Sequence, residues 1–176
     1  MRTIWISDRM IEPLGQVCAA RSEYGLLAVS FPSSPSTLSA RLAEKYRNVE
    51  IEIAEDPFFD KLFGQIGEYV HGQRTKIDVA IDPDAVTGFQ KQALDATSRV
   101  NYGTTASYKQ IALMLARPNA ARAVGRAEAT NPIPLVIPCH RVIGSDGSLH
   151  GYGAGNGVAT KQWLLELEQR VKENKG

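Results

Sequence analysis

The sequence predicts an α+β protein in two parts, and two observations carry that prediction. Short β-rich runs separated by turn residues crowd residues 1–53, with one helical period set among them. Beyond residue 83 the helical period dominates, interrupted by one stiff stretch that holds three prolines. An extended connector from Lys76 to Pro83 should divide an N-terminal α/β domain (1–83) from a C-terminal, mainly helical domain (84–176). The 176 residues suffice for one large core or two small ones, and 43% apolar content argues against disorder.

In the first part, Thr3 to Ser7, Gln16 to Arg21 and Leu26 to Phe31 read as strands. Pro13-Leu14-Gly15 and Glu23-Tyr24-Gly25 supply turns, and hairpin connections would make a small antiparallel sheet. Pro35-Ser36 opens a helix in which Leu38, Leu42 and Tyr46 recur every four residues; Val49 to Ile53 adds a strand. Asp56-Pro57 joins an N-cap to a proline at the first helical position, starting a helix that Gly72 ends. In the second part, Thr87-Gly88 opens a helix with Phe89, Ala93 and Leu94 inward. Ser107 caps a helix from Tyr108 to Ala116, Arg117-Pro118-Asn119 breaks it, and a small-residue helix follows from Ala120 to Ala129. The last helix, Lys161 to Lys172, offers Trp163, Leu164 and Leu167 to the core.

A net charge of +1 conceals an asymmetry. Residues 1–83 carry nine basic and twelve acidic side chains, whereas residues 84–176 carry eleven and seven. Between Arg99 and Arg141 six basic residues face one acid, Glu128, an excess that suits a polyanion. No apolar run reaches the ~18 residues of a membrane span, and residues 1–20 lack a basic start with a long apolar core. Cys18 and Cys139 are therefore expected as free thiols in a reducing compartment, the cytoplasm or a nucleus. Two cysteines and three scattered histidines lack metal-ligand spacing, so no metal is expected. The glycine-rich loop from Gly151 to Gly157 has neither a following Gly-Lys-Ser/Thr nor a dinucleotide fingerprint, and no cofactor is expected.

The chemistry concentrates in Asn131-Pro132-Ile133-Pro134-Leu135-Val136-Ile137-Pro138-Cys139-His140-Arg141-Val142-Ile143. Its prolines favour a buried, non-helical segment that presents one thiol beside one imidazole and one guanidinium. A thiol becomes a nucleophile as thiolate, which a neighbouring histidine or positive charge favours. In an extended chain, however, Cys139 and His140 would point to opposite faces, and the plainer reading is a buried apolar cysteine. The helix, tight turn and helix from Tyr108 to Ala129 fit a helix-turn-helix inside a basic patch. Alanines and Gly125 would let its second helix approach a groove and push Arg122 into a duplex; a helical hairpin packing its alanines inward fits equally well. The Gly151 loop suits the wall of a pocket for a flat base, with Tyr152 over the base face.

Together these parts closely resemble the O6-alkylguanine-DNA alkyltransferases, the methylated-DNA–protein-cysteine methyltransferases. The likeness rests on the Pro-Cys-His-Arg run, the preceding small-residue helix-turn-helix, the Gly-Tyr-Gly loop and the terminal Lys-x-Trp-Leu-Leu-Glu helix, and is strongest from Phe89 to Glu168. It implies an RNase H-like N-terminal domain and a C-terminal domain that reads the minor groove and extrudes the damaged nucleotide. By the same resemblance Cys139 is the alkyl acceptor, His140 its activating base through a bound water, and Glu168 the carboxylate that orients the histidine. Asn131 braces the recognition helix, Arg122 is an intercalating finger, and Tyr108 helps rotate the target phosphate. Ala121, Gly125 and Arg126 complete the DNA-facing set, and Val142, Tyr152, Gly153 and Ala154 line the base pocket. The implied partner is double-stranded DNA carrying O6-alkylguanine, bound by a monomer and repaired by one irreversible transfer. Two other classes compete: a damage-sensing DNA-binding module, against which Cys139 itself counts, and a Cys-His hydrolase, which lacks an oxyanion motif here.

Overall fold

Turn residues between short apolar runs fold the first 30 residues into a meander. The computed structural model describes residues 2–175 and divides into two units, Met1–Ala85 and Val86–Gly176. In the first, β1 (Arg2–Ile11), β2 (Gly15–Ser22) and β3 (Gly25–Ser30) pair antiparallel in sequence, with Ile6 opposite Ala20 and Ala19 opposite Val29. The helix α1 (Pro35–Lys45) starts at Ser34, whose hydroxyl accepts the Thr37 N–H. It carries the chain across to β4 (Val49–Ile53), which pairs parallel to β1. The sheet order is β3-β2-β1-β4, so the sheet is mixed rather than antiparallel as expected. Hairpin reasoning covers only strands joined by tight turns; a helical crossover returns the chain in the same direction.

Alternation along β1 separates the two faces of this sheet. Ile4 and Ile6 join Cys18, Ala20, Leu27, Leu38 and Leu42 in a core under α1. Arg9, on the opposite face, pairs with Asp60 and lies over the Phe63 ring of α2 (Pro57–Val70). Asp56 caps α2 by accepting the Phe58 and Phe59 N–H groups, and Arg21 holds the same carboxylate. The stretch after α2 is docked, not loose: Leu26 N–H donates to Ala80 O at 2.9 Å, and Asp82 N–H donates to Leu26 O. Gly25, at φ 139°, makes that approach possible, because a Cβ there would meet the Ala80 carbonyl. Asp82, buried, accepts hydrogen bonds from Ser22 and Arg2.

The second unit is helical with a two-stranded ladder. The helices α3 (Gly88–Thr97), α4 (Tyr108–Met114) and α5 (Ala121–Ala129) enclose Ala93, Ala96, Ile111, Ala112, Val124, Ala127 and Val142. Ser107 and Gln110 form a reciprocal capping box that starts α4. The helix stops two residues short of its expected end, since Ala116 takes a positive φ of 55°. Preceding α4, β5 (Ala106–Ser107) pairs parallel with β6 (Val142–Ile143), which fixes the chain leaving Cys139 beside the start of α4. The final helix, α6 (Val158–Lys175), begins three residues earlier than expected.

Candidate active site

Asn131 closes α5 and ties it to the cysteine. Its N–H donates to Glu128 O at the helix end, and its Oδ1 accepts the Ile133 N–H at 3.0 Å. Its Nδ2 donates to Ile137 O at 3.0 Å and to Cys139 Sγ at 3.1 Å. One residue thus links the end of α5, through its backbone N–H, to the thiol, through its side-chain amide. The proline-rich run between them is not straight. Ile137 N–H donates to Ile133 O, Leu135 takes a φ of 71°, and Cys139–Arg141 forms a single 3-10 turn. The three prolines remove donors that a helix or ladder would require, so the segment folds as consecutive turns around buried Ile133, Leu135 and Ile137.

That 3-10 turn decides where the charged neighbours of Cys139 go. His140 is fully buried and bonds Glu168 Oε1 through Nε2 at 2.6 Å, with its ring edge-on to Tyr152. Arg141 Nε donates to both Glu168 oxygens at 3.0 Å, its Nη1 donates to Val100 O, and its guanidinium lies over the Tyr102 ring. Gly103 N–H supplies a further donor to Glu168 Oε2 at 2.8 Å. The expectation that Arg141 lowers the thiol pKa is therefore corrected: its charge is engaged by Glu168. A carboxylate holding a guanidinium and a backbone N–H must accept from His140 as well, which fixes the imidazole with its proton on Nε2. Burial holds His140 below its ordinary value against the pull of Glu168, so the ring is neutral.

Cys139 is 2% exposed and rests as a thiol. Burial pushes it up to about 12; the Asn131 hydrogen bond and the Lys161 charge oppose that rise, while Glu128 adds to it. Lys161, 1% exposed, donates to Val142 O at 2.6 Å and His150 O at 3.1 Å and lies 3.4 Å from the Tyr108 hydroxyl. Burial depresses its pKa. The second cysteine, Cys18, is packed among the sheet residues of the other unit and raised to about 11 by burial.

An open cleft of about 570 Å³ runs along α5, between Tyr108, Arg122, Gly125 and Ala129 on one side and His150 and Gly151 on the other. Ala121 also lines it; Cys139, Val142, Tyr152, Gly153 and Ala154 do not. Gly125 faces the Tyr108 ring, where a Cβ would sit at an ordinary 3.7 Å, so glycine widens the cleft rather than avoiding a clash. Arg126 and Arg122 are exposed and line a second groove with Phe89, Gln90 and Thr130. Gly153 crosses so close to Ala129 that any Cβ would strike its carbonyl oxygen, which presses the glycine-rich loop onto the end of α5.

This arrangement can be set beside known proteins. The sequence family described as "6-O-methylguanine DNA methyltransferase, DNA binding domain" matches residues 88–170. The methylated-DNA–protein-cysteine methyltransferase of Methanosarcina barkeri is 38% identical over 167 residues, spanning 92% of this chain and 96% of its own length. The chain belongs to the methylated-DNA–protein-cysteine methyltransferase family. Its Mycobacterium tuberculosis relative is 39% identical over 149 residues, 84% of this chain and 88% of that one. A crystal structure of M. tuberculosis OGT in complex with DNA matches with a TM-score of 0.77 at 33% identity, over 95% of this chain and 94% of that one.

Sequence reasoning passed over three residues of this methyltransferase site, Lys161, Thr97 and Gly103, while it singled out Glu128 as the one acid of the basic segment. Lys161 lies seven residues, two helical turns, before Glu168, and that spacing puts both on one face of α6. Glu128 follows Val124 by four and so shares its inward face. Thr97 and Gly103 carry no such signal; one donates its hydroxyl to Glu128 and the other its N–H to Glu168.

Proposed function

We propose that this chain repairs DNA by moving the alkyl group of an O6-alkylguanine onto Cys139, once per molecule. The observation that carries the reading is Asn131, whose side-chain amide holds the sulfur and whose backbone N–H holds the end of α5, while α5 lines an open cleft with Arg122 and Tyr108. A paired guanine hides its O6 in the duplex, so α4 and α5 act as a helix-turn-helix in the minor groove and Arg122 takes the place of the extruded nucleotide. Extrusion costs a few kcal/mol, less for a damaged base that pairs badly.

The proton inventory follows from the buried groups. Cys139 starts as a thiol, and its proton passes to neutral His140 through an intervening water; Glu168 and Arg141 hold the imidazole in the accepting tautomer. The sulfur attacks the alkyl carbon, the S–C bond forms as the C–O bond breaks, and the electron pair leaves with guanine. Tyr108, kept protonated by burial, donates toward the departing base. The product is a thioether with no acyl carbon for water to attack, so the reaction stops after one turnover. The N-terminal order β3-β2-β1-β4, with three antiparallel strands and a parallel fourth, supports an RNase H-like reading of that unit. The chain acts as a monomer in the cytoplasm.

Mass spectrometry after incubation with O6-methylguanine duplex tests the reading. A gain of one methyl on Cys139, absent in Cys139→Ala while DNA binding persists, is expected. An unmodified wild-type chain overturns the reading, as does methyl transfer that survives in Cys139→Ala.

A further inference from the structure

One buried acid has no part in that scheme. Glu128 is 2% exposed on the inward face of α5, where its neighbours are Val124 and Ala127. Its Oε1 accepts the Thr97 hydroxyl at 2.6 Å, and its Oε2 has no hydrogen-bond partner among the described residues. Its own carbonyl receives the Asn131 N–H, and Asn131 in turn holds the sulfur of Cys139. The charged and titratable groups that face it come from three other elements: Lys161 of α6, Tyr108 of α4 and Cys139 of the 3-10 turn. Packed from α3, Thr97 brings no charge, and Arg122 and Arg126 on α5 itself are exposed.

We propose that Glu128 is a positioning residue whose charge state sets the pH range in which Cys139 can release its proton. The proposal rests on Cys139 being the acceptor. Its physics is a competition for one cation. Lys161 supplies a single buried positive charge, and either a Glu128 carboxylate or a Cys139 thiolate can be its counter-ion. Two anions on one cation in a dry interior are disfavoured. A carboxylate with one oxygen unpaired is costly to bury, so the neutral acid is favoured, and burial pushes Glu128 up to about 7. Below that value Glu128 is neutral and Lys161 is free to favour the thiolate. Above it Glu128 takes the cation and raises the cost of ionising Cys139. The wild-type protein therefore gains less reactivity from alkaline pH than its thiol alone would give.

Glu128→Gln keeps the volume and the acceptor for Thr97 but cannot ionise. The measurement is the rate of Cys139 alkylation between pH 5.5 and 8.5, by free O6-benzylguanine and separately by iodoacetamide, with the modified peptide identified by mass. Every group other than Glu128 titrates in both proteins, so the ratio of variant to wild type isolates its contribution. That ratio should be near one at pH 5.5 and rise to about tenfold at pH 8.5, the change expected from one pKa unit of coupling. A purely structural role would shift the rate equally at every pH. Thr97→Val, which removes the donor and disfavours the carboxylate, should move the wild-type inflection to higher pH. A ratio that stays flat, or a variant slower than wild type at pH 8.5, overturns the proposal. If wild type reacts with iodoacetamide but with no alkylguanine, the repair reading fails while the iodoacetamide ratio still decides the role of Glu128.

Discussion

Replacing Glu168 with alanine tests the network on which the second unit converges. The carboxylate is fully buried and receives His140 Nε2 at 2.6 Å, Arg141 Nε at 3.0 Å on each oxygen, and Gly103 N at 2.8 Å. Alanine leaves a guanidinium whose side chain is only 8% exposed without its counter-ion. Breaking a buried pair from one side costs about 3–5 kcal/mol. For a chain of this size each kcal/mol lowers Tm by about 2–4 °C, so a loss near 4 kcal/mol predicts a fall of roughly 8–16 °C. Glu168→Gln keeps the volume and one accepting oxygen and should lose about half as much. The control is Glu68→Ala, which removes a surface pair with Arg74 whose side chains are 34% and 47% exposed, and should cost under about 1 kcal/mol. Differential scanning calorimetry at pH 7.5 reads all three. A Glu168→Ala transition no lower than that of Glu68→Ala would refute the claim that this carboxylate holds the site together.

Three further outcomes are expected. Arg122→Ala should slow transfer from duplex DNA by roughly tenfold to a hundredfold, in line with an extrusion cost of a few kcal/mol, and leave transfer from free O6-benzylguanine within about twofold; equal losses on both substrates count against the intercalating role. Gly153→Ala forces a Cβ onto the Ala129 carbonyl and should lower stability by about 1–3 kcal/mol in urea unfolding, with an unchanged midpoint showing that the loop does not press there. Glu128 is raised from 4.5 to about 7 in the folded protein, so the native state holds its proton longer than the unfolded chain does. Stability from this group is then lost as pH rises from about 4.5 to 7, by at most roughly 3 kcal/mol, and the loss is constant beyond. Urea unfolding should show Glu128→Gln gaining on wild type across that window; parallel pH curves for the two proteins contradict it.

Local pattern reveals elements, while partnerships across many residues stay hidden. The N-caps Ser107 and Asp56, the Pro57 start and the four-residue spacing of Leu38 and Leu42 are all short-range signals, and the structure has helices at each. The parallel partner of β1 was not legible, because nothing within Val49 to Ile53 states which edge a crossover returns it to. The same limit applied at the site. Adjacency placed Arg141 beside Cys139 in the sequence, but side-chain direction is set by the 3-10 turn, and Glu168 captures that guanidinium from 27 residues away.

The lone acid of the basic segment shows how charge counting and periodicity can disagree, and which should win. By charge, Glu128 offsets the surface excess between Arg99 and Arg141. By position, it follows Val124 by one helical turn and must face inward with it. The structure follows periodicity: Val124 is fully buried and Glu128 nearly so, while Arg122 and Arg126 stand outside. The charged side chains on the exposed face of α5 are therefore the basic ones, Arg122 at the cleft and Arg126 at the second groove, and the acid lies inside. An ionisable group kept inside a helix of alanines costs stability at neutral pH, and an isosteric amide would avoid that cost. Its cost is offset only if the charge does something, and the groups within its reach are Lys161, Tyr108 and the thiol. If Cys139 is the acceptor, as proposed, a buried residue that loosens the fold and raises the cost of ionising that thiol is better explained by reactivity than by packing.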